Sequence, residues 1–204
     1  TTKVDTASRR LFTTSPLSRL TVEKTPFASI APALHSEVGS IIRMLLRRET
    51  QAEINADLLW LFSTKNWCYD IIPANTAPEC PFDLDIMQSM DVIRDKNLRD
   101  LCLTSSTLDT RWHSDYAKRY GNNLVLVEAQ FGMVEAVFKD FCGFRIAYAE
   151  RRLALGIEIV LVDPKRYFAH PKSALNGMAS FDIAKNTLAT IGLECPIWLV
   201  GVEE

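Results

Sequence analysis

Leu124-Val125-Leu126-Val127-Glu128-Ala129-Gln130-Phe131-Gly132 is a strongly apolar run that ends in two polar residues two positions apart. It reads as a buried strand, and the period of two along a strand places Glu128 and Gln130 on one face. A carboxylate and an amide projecting together from a buried strand end cost free energy unless they find partners, and metal coordination is one way to supply them.

Upstream, Thr107 to Tyr116 reads as a second strand, joined to the first through Tyr120-Gly121-Asn122-Asn123, residues that tolerate positive φ. Asp115 and Glu128 stand 13 residues apart with this turn between them, so a hairpin can bring them side by side. Two carboxylates with the backbone carbonyl of Ala129 between them make an oxygen-ligand site suited to Mg2+. That ion binds through one or two carboxylates and completes its octahedron with water and substrate phosphate. The chemistry that follows is phosphodiester hydrolysis by a metal-activated water. Spacing alone is a weak signal, because a Glu and a Gln at a strand end are usually just solvated.

Around this hairpin the chain alternates between helical and extended patterns. Helices are expected from Ala31 (Leu34, Val38, Ile41/Ile42, Leu45/Leu46 on one face), over Ala52 to Lys65, and over Asp83 to Cys102, with a Pro-punctuated loop from Asn66 to Pro81. Phe131 to Leu155 carries Val134, Val137/Phe138, Phe141, Phe144 and Tyr148 at helical spacing, and Gly156 follows as a C-cap. Ile157 to Val162 reads as a short β-branched strand, Phe181 to Ile191 as a helix and Ile197 to Val202 as a final strand. Strand, strand, helix, strand, helix, strand is the order of an α/β fold with a mostly buried central sheet.

The likeness to a known family starts from the same motif. Asp115 … Glu128-Ala129-Gln130 resembles the PD-(D/E)xK nuclease motif in the variant that has Gln for the final Lys, and Val127-Glu128-Ala129-Gln130-Phe131-Gly132 resembles the BglII and BstYI type restriction endonucleases. Asn55 and Trp67 sit where that family has an Asn opening a helix and a Trp closing it. Gly156-Ile157-Glu158-Ile159 and Pro196-Ile197-Trp198-Leu199-Val200-Gly201 resemble its later strands, so that the likeness runs from about residue 50 to 204. It implies a restriction-endonuclease-like α/β fold with a central mixed sheet flanked by helices. It also implies a type II endonuclease that cuts double-stranded DNA with Mg2+ as a homodimer at a palindrome centred on GATC, in a bacterial or archaeal cytoplasm. Asp115, Glu128 and Gln130 would then be catalytic, with Asp115, Glu128 and the Ala129 carbonyl on the metal. The hairpin tip is longer than the family's, which keeps Asp109 as an alternative first carboxylate, and Gly132-Met133 replaces residues that touch bases there. Unlike Lys, Gln130 is neutral and can position a water only by hydrogen bonds.

For DNA contacts the candidates are Asn55, Lys118, Arg119 and Met133, together with Lys172, Ser173 and Asn176 in the loop Lys165 to Ser180. His113-Ser114-Asp115 does not make a nucleophilic triad, because adjacent strand residues point to opposite faces. His35 and His170 are isolated, and Arg145, Arg151 and Arg152 read as the solvated face of the long helix. A noncutting DNA-binding or interaction protein of the same fold, or a structure-specific repair nuclease, are the alternative functions.

The chain has 204 residues with Lys+Arg 23 against Asp+Glu 25, a net charge of −2, and 48% hydrophobic residues, as expected of one globular domain (31–204) with an appended arm (1–30). No apolar run approaches the roughly 20 residues of a membrane span. Cys68, Cys80, Cys102, Cys142 and Cys195 form no C-x-x-C pair and read as free thiols in a reducing compartment, Cys142 and Cys195 being small core residues. Near-neutral charge argues at first sight against a polyanionic partner. The arm, however, carries Lys3, Arg9, Arg10, Arg19 and Lys24 against Asp5 and Glu23, so the remainder is acidic and its charge has to be sorted by surface. The expectation is a basic cleft over Glu128, lined by the hairpin, the loop after Val162 and the arm.

Overall fold

The computed structural model describes residues 31–69, 114–168 and 177–203. Asp109, His113, His170, Lys172, Ser173, Asn176, the arm and the expected helix Asp83 to Cys102 lie outside the described residues. The sheet is built around the hairpin of β2 (Tyr116–Tyr120) and β3 (Asn123–Ala129), in which Tyr116 faces Val127 and Tyr120 faces Asn123. Gly121 takes φ 61° at the turn, a conformation without penalty for glycine. β2 thus runs on past Tyr116, where the sequence pattern has the strand stop, because a turn this tight requires pairing right up to it; residues 107–113 of the expected strand lie outside the described residues.

β1 (Cys68–Tyr69), inside the stretch expected to be loop, pairs antiparallel with β2. β4 (Leu153–Leu161) and β5 (Ile197–Val202) add parallel strands on the other side of β3, giving the order β1-β2-β3-β4-β5. This is the expected mixed α/β sheet.

Two helical layers cover the sheet. On one face lie α1 (Pro32–Met44) and α2 (Gln51–Ser63), whose Val38, Ile41, Ile54, Leu58 and Phe62 pack on Tyr116, Val125, Val127, Ile157 and Ile159. α2 opens with a reciprocal capping box between Thr50 and Glu53, worth about 1 kcal/mol. On the other face lies α3 (Val134–Ala149), whose Val137, Phe141 and Phe144 pack with Leu124, Leu126, Val160 and Leu199. After the short α4 (Pro164–Tyr167), α5 (Phe181–Ile191) completes that layer, capped by Ser180 and ended by left-handed Gly192. Phe138 and Cys142 of α3 are exposed, unlike Cys195, because the buried stripe of this helix is narrower than its apolar pattern.

The end of α3 departs from expectation. The helix stops at Ala149, and Gly156 lies inside β4 rather than capping it. Arg152 N–H donates to Ala147 O and Arg151 N–H to Tyr148 O, with Arg151 at φ 58°. This is a Schellman ending with an arginine at the position that glycine normally fills, so the usual sequence signal is missing. Gly156 serves packing instead, since a Cβ there would lie 2.8 Å from Phe144 Cγ. Two substitutions should therefore move stability in opposite directions in thermal or urea unfolding. Arg151→Gly is expected to stabilise by about 0.5–1 kcal/mol through relief of the left-handed backbone. Gly156→Ala should destabilise by about 1–3 kcal/mol through overpacking.

Candidate active site

Along β2 and β3, alternation decides which side chains meet. Tyr116 and Val127 face the α1/α2 layer, so Asp115, one residue beyond the ladder, comes opposite Glu128 on the α3 side. The placement is fixed by a hydrogen bond: Ala129 N–H donates to Asp115 Oδ2 at 2.9 Å. On the other side of β3, Glu128 lies in register with Glu158 of β4, so the two glutamates project side by side, about 4.8 Å apart at the backbone. Gln130 N–H donates to Ile159 O at 2.9 Å, which carries the ladder one residue past β3 and keeps Gln130 on the same face. α3 adds Asp140 from above, with its Oδ2 accepting from Gln130 Nε2 at 3.4 Å. Gln130 Oε1 accepts from Gly132 N–H at 2.9 Å.

The electrostatics are those of crowded acids out of water. Glu128 is 5% exposed, and Asp140 and Glu158 are fully buried. Burial first, then repulsion from Asp115, Asp140 and Glu158, pushes the Glu128 carboxyl well above its ordinary range, with Lys139 opposing. Glu158 is raised well above its usual value by burial and by Asp140 and Asp115. Asp140 is pushed up to about 6, mainly by burial, while its bond from Gln130 and the nearby Lys139 pull it down. Lys139 Nζ lies 3.8 Å from Asp140 Oδ1. Among the described residues, Glu128 Oε1 and both oxygens of Glu158 have no hydrogen-bond partner.

These features fit a hard cation. Among the described residues no three His, Cys, Asp or Glu side chains form a ready-made cage, but Mg2+ needs only one or two carboxylates and keeps waters. Asp115 and Glu128, adjacent and with an orphaned Glu128 oxygen, match that demand, and Ala129 stands between Glu128 and Gln130 at the end of β3.

The structure gathers some of the sequence candidates and separates others. Asp115, Glu128, Ala129 and Gln130 come together. Asn55 lies in α2 one turn after Gln51, and the Gln51 amide reaches Gly132, with Nε2 3.1 Å from where a Cβ would stand. The start of α2 therefore adjoins the site. Met133 is half exposed and bridges to Met178, which ties the strand-to-helix turn to the segment entering α5.

Lys118 is on the wrong face for Glu128. It donates to Glu37 Oε1 at 2.7 Å and to Lys65 O at 2.9 Å, on the α1/α2 side. Arg119 shares the face of Glu128 but sits toward the turn, on the order of 13 Å along the strand from Asp115. The described hairpin thus does not give Glu128 a basic lining: period two turns one cation away, and the tip lies at the opposite end from the carboxylates. Ser114 Oγ donates to Tyr116 O at 2.9 Å, a structural bond, and His35 stacks on Trp198.

Asp140, Glu158 and Lys139 were not singled out from the sequence. The signals were present: Glu158 interrupts an otherwise apolar strand, and Asp140 occupies the stripe between Val137 and Phe144.

The model of the restriction endonuclease BglII/BglIII family matches residues 27–202, and no curated protein matches the chain. No helix among the described residues is long and apolar enough to cross a membrane. With a family match over most of its length and the mixed sheet that such a nuclease requires, the chain belongs to the BglII/BglIII family of restriction endonucleases, type II site-specific enzymes that act on DNA.

Proposed function

We propose that the protein cuts double-stranded DNA with Mg2+ as a homodimer, at a short palindrome centred on GATC, using Asp115, Glu128 and Gln130. The observation that carries this reading is the pairing of Asp115 with Glu128 across the β2/β3 ladder, with Gln130 next on the same face. Asp115, Glu128 and the Ala129 carbonyl would hold the ion. When bound, it lowers the pKa of a water and neutralises charge on the phosphate. Gln130 orients that water through whichever of its two donors and two lone pairs the protein leaves unused. In the reaction the water oxygen bonds to phosphorus as the ester oxygen leaves, and the proton lost by the water is balanced by one gained on the leaving oxygen. Lys172, Ser173 and Asn176, with Asn55, Arg119 and Met133, are proposed to meet the DNA. Lys118 is proposed to meet a phosphate by exchanging its bond to Glu37 for one to DNA. Homodimer symmetry would match the palindrome. The free thiols of Cys142 and Cys195 suit the reducing cytoplasm in which such an enzyme works.

Plasmid digestion with Mg2+ should give discrete fragments whose sequenced ends flank GATC. Glu128→Ala and Asp115→Ala should each lower the rate by on the order of 100-fold or more. Intact plasmid from many DNA sources, or an unchanged pattern in Glu128→Ala, would refute the reading.

The raised carboxyls give a second test. In chelator, stability from the neutral forms of Asp140, Glu128 and Glu158 is fully present below their ordinary values of 3.8 and 4.5 and is lost as pH climbs through about 6 for Asp140 and through the raised values of the two glutamates. The thermal midpoint should therefore fall between pH 5 and pH 8 without metal. Mg2+ should restore it at pH 8 far more than at pH 5. An equal shift at both, or none, would remove Glu128 from the cation site.

A further inference from the structure

Gln130 replaces the cation that this kind of site usually carries, so its usefulness depends on where its amide is held. A glutamine side chain has several rotatable bonds and an amide whose two ends are opposite in character. Two contacts fix it here. Its Nε2 donates to Asp140 Oδ2 at 3.4 Å, and its Oε1 accepts from Gly132 N–H at 2.9 Å. The first sets which end of the amide faces α3, and the second sets the other end. Gly132 has a further part, because a Cβ there would lie 2.9 Å from Gln130 Oε1. Both bonds leave capacity: one Nε2 hydrogen and one Oε1 lone pair remain for a water or a phosphate oxygen.

Asp140 is an unusual residue to find on that helix face. It is fully buried in the stripe that otherwise presents Val137, Phe141 and Phe144. Among the described residues its Oδ1 makes no hydrogen bond, and the Lys139 ammonium lies 3.8 Å from it. An apolar residue there would pack without the desolvation cost of a carboxylate. Asp140 makes two contacts that a leucine could not, the ion pair with the exposed Lys139 and the hydrogen bond from Gln130, and the second is the one that reaches the proposed catalytic residues.

We infer that Asp140 is a positioning residue for DNA cleavage: from α3 it holds the Gln130 amide in the orientation in which its spare donor and lone pair address the attacking water. It does not touch DNA or the reacting atoms. The inference rests on the proposed role of Gln130, and the test separates the two.

Single-turnover cleavage of a plasmid that the protein cuts, in Mg2+, is measured for Asp140→Ala, Asp140→Asn, Gln130→Ala and the double variant Asp140→Ala/Gln130→Ala. Asp140→Ala should lose on the order of 10- to 100-fold in kcat with little change in KM, the cost of a misplaced group. Asp140→Asn keeps an acceptor oxygen and should lose far less. The double variant should be no slower than Gln130→Ala alone, since nothing remains to be positioned. Should Asp140→Ala fail to fold, Gln130→Glu replaces it: that carboxylate faces Asp140, and adding Asp140→Asn, which supplies a donor, should raise kcat several-fold. Full activity of Asp140→Ala beside an impaired Gln130→Ala overturns the inference alone. Multiplying losses in the double variant, or no gain from Asp140→Asn in the Gln130→Glu background, do the same. Full activity of Gln130→Ala overturns the role of Gln130, and that of Asp140 with it.

Discussion

The contact between Gly156 and the Phe144 ring sets the rest of the site. Without a Cβ at residue 156, α3 comes down onto β4 until the ring lies against the backbone. From that point helix and strand run in opposite directions, and their steps match. Four residues of helix, from Phe144 back to Asp140, cover about 6 Å. Two residues of strand, from Gly156 on to Glu158, cover about 6.6 Å. The packing of an aromatic ring on a glycine therefore delivers Asp140 above the level of Glu158, and the parallel register delivers Glu128 to the same level. Acids far apart in sequence are forced into one dry layer by apolar packing one turn away. The free energy for gathering them comes from burial of the phenylalanines and aliphatic residues of α3, not from any attraction among the acids.

Much of this was legible in the sequence, and the failures have identifiable causes. The hairpin turn, α5 and β5 follow their patterns because Gly121, Ser180 and Gly192 carry local signals that agree with the tertiary structure. The pairing of Asp115 with Glu128 was readable because a two-residue turn and a period of two leave little freedom. The end of α3 was not, since Arg151 occupies a left-handed position that glycine usually marks and the nearest glycine was needed for packing. Lys118 lies away from Glu128 for another reason. Proximity in sequence to Asp115 suggested the site, whereas strand alternation and the Glu37 carboxylate draw its ammonium to the opposite layer. Asp140 and Glu158 could be recognised as acids in apolar surroundings, but their convergence depends on how close α3 lies to β4, which no local pattern encodes.

The opposite layer has an anchor of its own. Glu37 of α1 accepts from Trp67 Nε1 and from Lys118 Nζ, both at 2.7 Å, so one carboxylate links a helix, the residue entering β1 and the middle of β2. Trp67 is fully buried against Phe62, which in turn stacks on Tyr116. Tyr116 is the residue next to Asp115. The aromatic stack thus braces the strand from beneath at the point where Asp115 leaves it, while Ala129 N–H holds the Asp115 carboxylate from the side. A carboxylate so fixed on both backbone and side chain is suited to hold its place when charge beside it changes.

A neutral residue at position 130 has a consequence for the charge of the whole site. A lysine there would have offset one carboxylate from within. With glutamine, the cation that the described residues set against the acidic layer is Lys139, which lies beside Asp140 and is largely exposed. Burial answers the excess by pushing Glu128 and Glu158 toward their neutral forms. A protonated carboxyl binds a cation poorly, so on the proposed mechanism the ion competes with protons for Glu128. An anionic phosphate would meet the layer most favourably after that exchange. On the proposed mechanism a lysine at position 130 would supply part of that positive charge in advance, whereas glutamine leaves the ion to offset the acids alone.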